Sequence, residues 1–441
     1  MSGYRVMAGM GRLDRGSTDC PDSMGTAPKV FDSTATATNK KDCLHQLTER
    51  IGVGMTLSIS RTRNMNYSSE IGMREFAIGT PGMYDVEFTM DGIFAPSVCD
   101  SWLKYVFMQG SGNDPVEYEV TASNPLVAYT DAACTVKASA PLDDSTMYYV
   151  QIGESGAKFG KKMLGADIKS YNAFATGSKV VKLFGYTNLQ GPKYFDIGYQ
   201  KINAHASGVS QYDGNNEFGC LCGCIINSAS ISYDSGSDAA IRFSISGSAL
   251  CDYIQVGTDS FDYSSILSAL PTDVFVGGCM SVFKDTEYKA VAQTDSASVS
   301  ISNSISKRGN CNRLTYSSYS MAGLSYDVST STYSNDPEKY FKYLYGYDTL
   351  TAGTNYHVGR QALPIGNMKI RTDDTSATTT DKTMFMDINM SNVYVGDMNY
   401  NFSVDSPIMD EPSLRAQTLY MAVGYSKTGI SAGDATETAG D

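Results

Sequence analysis

The sequence predicts a mainly β protein, and three observations carry that prediction. Gly (41) and Tyr (30) abound, with Ser and Thr, while charged residues make up only 18% of the 441. Ser, Thr and Tyr suit strands with one wet face, and Gly supplies turns and bulges. Apolar and polar residues alternate in several segments, as in Tyr84-Asp85-Val86-Glu87-Phe88-Thr89-Met90-Asp91. That alternation puts Tyr, Val, Phe and Met on one face of a strand and the acids and Thr on the other. Helical periodicity filled with Ala, Glu, Lys and Leu is almost absent.

The same composition excludes several classes of function. Lys and Arg number 34 against 47 Asp and Glu, a formal net charge of −13. A surface that wraps nucleic acid needs basic patches, so an acidic chain argues against one. Three histidines leave little material for His-based catalysis or a His metal cage. No apolar run approaches the roughly 18 residues of a membrane helix, and residues 1–10 lack the apolar core of a signal peptide. Neither membrane insertion nor secretion is expected. The hydrophobic content of 42% is ordinary for a folded protein.

Residues 1–44 are rich in Gly, Ser, Thr and Asp, and are expected to form an N-terminal arm that is loose in an isolated subunit, either as simple disorder or as an arm that orders only against a neighbouring subunit. A first unit spans 45–298. It opens with strands around Leu57-Ser-Ile59-Ser60 and 82–91, then a short helix within Ala95–Phe107 with Trp102, Tyr105 and Val106 inward. Residues 115–182 read as an inserted lobe, strand-like at Glu117–Val120, Leu126–Tyr129 and Met147–Ile152 with Gly, Pro and Asp punctuation. A hairpin follows from Ser230–Asp234 and Ala240–Ser246, turning through Ser235-Gly236-Ser237-Asp238. A second unit spans 299–426, with its own short helix within Asn335–Tyr345. Residues 427–441 form a tail without an aromatic residue.

The two units are related by an internal repeat. Ser-Ile-Ser at Ile59 recurs at Ile301, and Tyr84-Asp85-Val86 recurs at Tyr326-Asp327-Val328, both displaced by 242 residues. Lys104-Tyr105 recurs at Lys342-Tyr343, displaced by 238. Later, Ile226–Asp234 followed by Ala240–Ile245 resembles Val395–Asp405 followed by Leu414–Leu419. Three matches in one order at nearly one displacement are hard to obtain by chance, even in a chain rich in Ser and Tyr.

The stretch Ser58-Ile-Ser-Arg61, then Gly72-Met-Arg74-Glu75-Phe-Ala-Ile78, then Pro81-Gly82-Met-Tyr-Asp-Val-Glu-Phe88 resembles the tail tube proteins of tailed bacteriophages. The run Ile226–Gly247 resembles the second hairpin of that fold; the second unit lacks the Arg-Glu and Pro-Gly elements. The resemblance covers about two thirds of the chain and implies two tandem tube-type β-sandwich/barrel domains. Their sheets would join those of neighbours into a ring, and rings would stack into the virion tail tube, assembled in the bacterial host cytoplasm. Two fused units imply three copies in a pseudo-six-fold ring. The implied partners are further copies, the tape measure protein, the tail terminator, tail tip or baseplate proteins and a sheath where one exists. Double-stranded DNA would pass through without specific binding. A lumen for DNA should repel phosphate, which makes Asp85, Glu87, Asp91, Asp234 and Asp327 the lumen-facing candidates. A ring-forming tail tip component, and a surface β-sandwich adhesin or carbohydrate-binding module using the Tyr-rich loops Asn312–Tyr319 and Tyr340–Tyr347, are the alternatives.

Chemistry-bearing motifs are wanting, so no enzyme, cofactor or metal is expected. The chain lacks Gly-x-Ser-x-Gly, a phosphate-binding glycine loop with Lys-Ser/Thr, and His-Glu-x-x-His. His205 and His357 fall in Gly/Ser/Tyr-rich loops, and Asp213–Glu217 lacks calcium-loop spacing. Asp143-Asp144 and Asp373-Asp374 are loop pairs. The ten cysteines are scattered, and most read as reduced and partly buried. Cys220-Leu-Cys222-Gly-Cys224 has strand spacing and runs into Ile225-Ile226, which reads as packing, because tetrahedral zinc draws ligands from two separated sets.

Overall fold

The computed structural model describes residues 5–11, 51–68, 78–108, 117–153, 158–172, 179–185, 193–202, 216–234, 238–257, 274–275, 280–284, 290–309, 315–333, 338–347, 349–351, 353–357, 359, 361–373, 384–399 and 409–426. The C-terminal tail, the Arg74-Glu75 segment, His205 and Asp374 lie outside them.

Among the described residues the protein is mainly β, with large antiparallel sheets. In chain order the strands are β1 (Arg5–Gly11), β2 (Val53–Ser68), β3 (Ile78–Ile93), β4 (Glu117–Val120), β5 (Leu126–Tyr129), β6 (Met147–Ile152), β7 (Lys158–Leu164), β8 (Lys179–Gly185) and β9 (Phe195–Ile202). They continue with β10 (Asn216–Asp234), β11 (Asp238–Ala249), β12 (Cys251–Gly257), β13 (Met280–Lys284), β14 (Ala290–Gly309), β15 (Tyr316–Tyr333), β16 (Gly366–Asp373), β17 (Met384–Asn399) and β18 (Met409–Ser426). The helices are α1 (Asp100–Val106), α2 (Gly165–Asn172) and α3 (Glu338–Tyr345).

The repeat is visible as two four-strand runs. In the first half β2, β3, β11 and β10 lie side by side; in the second half β14, β15, β18 and β17 do. The runs join through β10 and β14, which pair from Ser228–Ser302 to Asp234–Ser296. Ile59 lies opposite Phe88 and Ile301 opposite Tyr326. If β2 maps onto β14 at 242, hairpin geometry therefore equates Phe88 with Tyr326, a displacement of 238 that α1 and α3 share through Lys104 and Lys342. The sequence match of Tyr84 with Tyr326 is four residues out of register with the fold. In the second half the ladder closes on itself, because β17 pairs β16, β16 pairs β13 and β13 returns to β14.

One core serves both halves. Val86, Phe88 and Met90 of β3, Ile231 of β10, Phe243 and Ile245 of β11, Val299 and Ile301 of β14, and Ile388 of β17 belong to one buried cluster. The alternation read from 84–91 holds: Val86, Phe88 and Met90 are buried while Glu87, Thr89 and Asp91 are exposed. Helix α1 lies against this core, with Trp102 stacked on Phe243 at 5.2 Å and edge-on to Phe94 at 6.1 Å. Trp102, Tyr105 and Val106 are all buried, as the helix reading requires. Asn303 of β14 ties the halves further, donating to Ile226 O at 2.9 Å and Val106 O at 3.3 Å.

The inserted segment does not stand apart. β4 pairs β8, and β8 pairs the far end of β18, so the insertion extends the second half's sheet. β5, β6 and β7 form a separate three-stranded sheet, and α2 was not foreseen. A second core joins Val150, Ile168, Tyr171 and Val181 of this segment to Phe385 of β17 and Tyr420 of β18. Within the segment expected to be a loose arm, β1 pairs β9 over seven residues.

Candidate functional site

The register of the ladders builds one polar face across both halves. Facing residues of paired strands point to the same side of a sheet. One row runs Thr56, Asp91, Ser244, Ser230, Ser300, Asp327, Arg415, Tyr394 across β2, β3, β11, β10, β14, β15, β18 and β17. The next runs Ser58, Thr89, Ser246, Ser228, Ser302, Ser325. Neither row is interrupted at the junction between the halves. Ser228 and Ser246 hydroxyls lie 2.8 Å apart, so neighbouring hydroxyls satisfy one another without long side chains.

All five carboxylates read from the sequence fall on this face. Asp85, Glu87 and Asp91 alternate along β3, Asp234 lies opposite Ser296, and Asp327 lies opposite Ser300 and Arg415. Cations offset part of their charge. Lys307, near the end of β14, ion-pairs with Asp85 and, at 3.2 Å, with Glu87. Burial alone would lower its pKa; hydrogen bonds to the two carboxylates outweigh that and raise it. Arg415 Nε sits 3.1 Å from Asp327. Asp91 lies between Thr56 and Ser244, and Arg242 lies opposite Ser232. The face is therefore a field of hydroxyls with mixed, sparse charge, more neutral than a plain acidic lining.

Sequence reasoning used Ser-Ile-Ser only as a repeat marker and missed these serines. The signal was there as a period of two at Ser228-Ser230-Ser232, Ser244-Ser246 and Ser296-Ser298-Ser300-Ser302. Asp397, opposite Ser413 on the same face, was also missed.

The edges of this face differ from its middle. β2 pairs β3 alone among the described strands, so its other edge offers backbone donors and acceptors. β17 pairs β16 only as far as Val393, and its residues Tyr394–Asn399 pair β18 on one side.

Elsewhere a buried ionic cluster links the insertion to the second half. Lys369 of β16 ion-pairs with Asp167 of α2 and lies 3.8 Å from Asp387 of β17, which Arg371 reaches at 3.7 Å. Tyr420 donates to Asp167 and Tyr171 to Asp387. Burial, with the nearby carboxylates, pushes both phenols well up. Lys369 is held above its usual value because Asp167 and Asp387 outweigh its own burial. Each member of this cluster has an ion-pair or hydrogen-bond partner within it, although Asp387 Oδ1 accepts no hydrogen bond among the described residues.

Asp143 lies in a turn whose carboxylate takes the Ser145 N–H and hydroxyl, and Asp144 pairs with Lys169 at the surface. Cys99, Cys134, Cys220, Cys222 and Cys224 are buried and outside any disulfide, whereas Cys251 is disulfide-bonded. No helix among the described residues is long and apolar enough to cross a membrane. No protein-family model matches the chain, and no curated protein is similar to it.

Proposed function

We propose that this chain is a structural, self-assembling protein of a bacteriophage tail tube, in which three copies close a ring and rings stack into a conduit for the genome. The observation that carries this reading is the junction of β10 with β14, which continues one polar face from the first half into the second. The chain's own repeat supplies the rule for adding the next copy. At 242 residues, the stretch of β14 that accepts β10 corresponds to residues 54–60 of β2, whose outer edge takes no strand among those described. Carrying the hairpin registers through both halves places Ser228 and Ala229 of β10 on Tyr394 and Val395 and, past the bulge at Gly396, Ser230–Ser232 on Asp397–Asn399, the end of β17 beyond its pairing with β16. The intermolecular pairs then include Ser58 with Asp397 and Ser60 with Tyr394. Each joins positions on the same polar face, as a continuous sheet demands.

Such a ring has four strands per half, eight per copy and 24 in all. At ~4.8 Å per strand and a tilt of about 40°, its backbone diameter is roughly 50 Å. Closure removes the exposed edges of β2 and β17, which otherwise invite aggregation. The lining suits transit. Hydroxyls hold water, Lys307 and Arg415 are occupied by carboxylates, and little free positive charge remains to grip phosphate. The tape measure protein, tail terminator and tail tip components are the partners this role requires, with DNA passing unbound.

Electron microscopy of the purified chain across a concentration series tests the reading. Hollow rings or tubes with three copies per ring are the expected result. Six copies per ring would keep the tube and refute the register argument; a monomer at all concentrations that binds immobilised glycans would replace it with a binding module.

A further inference from the structure

The bulge in β10 gathers three metal-ligating side chains that the tube reading does not use. Cys220 and Cys222 are two residues apart on β10, and Asp196 comes from the adjacent strand β9. Pairing of β9 with β10 shifts between Leu221 and Cys224. Gly223 makes the shift possible: its φ of +61° is a conformation side-chain-bearing residues avoid. The turned backbone aims the Gly223 N–H at Asp196 Oδ1, 2.8 Å away, which holds the carboxylate beside the thiols. The two sulfurs lie 3.5 Å apart, and they and a carboxylate oxygen are all within 4.8 Å of one another and buried.

These distances are close to those of an occupied metal site. Two thiolates each ~2.3 Å from a tetrahedral zinc lie about 3.8 Å apart, whereas disulfide sulfurs lie ~2.05 Å apart. The sequence argued against zinc because Cys-x-Cys provides ligands from one strand only; the fold adds Asp196 from a second. Cys251 faces Cys222 across β12 but is committed to a disulfide, and the Cys224 thiol donates to Leu221 O at 3.4 Å.

We propose that Cys220, Cys222 and Asp196 bind a divalent zinc ion that staples β9 to β10. Two thiolates and a carboxylate form a donor set suited to this borderline ion. Binding breaks two S–H bonds and forms two Zn–S bonds, both protons leave to water, and nothing is oxidised or reduced. The ion enters before the strands close over it, so occupancy is set during folding.

The test uses the full chain, purified from zinc-supplemented cells without chelator, with free thiols counted first. Elemental analysis is expected to find one zinc per chain. Refolding with cobalt(II) should give a thiolate-to-cobalt charge-transfer band and the visible bands of a tetrahedral ion. Cys220→Ser with Cys222→Ser should abolish both, and Asp196→Asn should keep the band but weaken affinity about tenfold or more. Cys134→Ser, in the inserted segment, should change nothing. If the double serine variant does not fold, the Asp196→Asn titration decides. A folded chain with its thiols reduced, no zinc and no cobalt band overturns the proposal, as does a Cys220–Cys222 disulfide or undiminished binding by the serine variant. Ring formation is scored separately, so failure of the metal site leaves the tube reading standing.

Discussion

Replacing Lys369 by Met removes the ammonium from a pocket that keeps two carboxylates, Asp167 and Asp387, each side chain 1% exposed. The aliphatic volume is kept, so the loss is electrostatic. Arg371 remains 3.7 Å from Asp387, and Asp167 keeps the hydrogen bond from Tyr420. Breaking a buried pair from one side costs about 3–5 kcal/mol, and the lower part of that range applies because the tyrosine donors stay. The pH dependence identifies the cause. In the parent, Lys369 has a raised folded pKa, so its contribution is fully present below the unfolded Lys value and is lost only as pH rises through the folded one. It is constant between about pH 4.5 and 7. In the variant that contribution is absent, so the gap between the two proteins is full at neutral pH and narrows only as alkali deprotonates Lys369 of the parent. Urea unfolding followed by circular dichroism should show a loss of about 3 kcal/mol at pH 7, roughly the same near pH 6. A loss below about 1 kcal/mol at pH 7 would refute the account of this cluster as the electrostatic joint between the insertion and the second half.

Three further outcomes follow from the same geometry. Arg415→Ala should cost under about 1 kcal/mol, because its pair with Asp327 joins a side chain 78% exposed to one 40% exposed; urea midpoints of the two proteins check this. Gly247→Val should destabilise by about 1–3 kcal/mol or prevent folding, since a Cβ there would meet Phe88 Cζ at 2.2 Å and the Ile225 carbonyl at 2.4 Å; differential scanning calorimetry reads it. Successive amides of a strand point to opposite edges, so either Ser58→Pro or Ile59→Pro should remove an outward N–H of β2 and abolish rings in electron micrographs while leaving the circular dichroism spectrum unchanged. Rings from both proline variants would exclude β2 as the joining edge.

What could be read from the sequence, and what could not, divides along a physical line. Strand content, the inward set of β3 and the buried face of α1 follow from local alternation, which the chain states residue by residue: Val86, Phe88 and Met90 needed no partner to be placed. Register is a property of pairs. The match of Tyr84 with Tyr326 was good in sequence and yet wrong by four residues, because Ile59 opposite Phe88 and Ile301 opposite Tyr326 set the hairpins. The Asp167–Lys369–Asp387 cluster and the meeting of Asp196 with Cys220 and Cys222 join residues distant in sequence, and no spacing rule reaches that far.

The polar face shows how that division bears on function. Five acids picked from strand patterns share one face of the ladder. Their charge balance was not legible, because it depends on which cation arrives from elsewhere. Lys307 stands 222 residues from Asp85 and 220 from Glu87; Arg415 reaches Asp327 only through the pairing of β15 with β18. A lining of bare carboxylates would repel phosphate but would also push apart the copies that share the ring, at a cost that grows with each stacked ring. Hydroxyl rows with locally cancelled charge avoid both problems: they offer phosphate no unpaired cation, and they let identical faces stack without mutual repulsion. In the proposed tube the serines would carry that compromise, since a short hydroxyl bonds to its cross-strand neighbour, as Ser228 does to Ser246, and would leave a bore open.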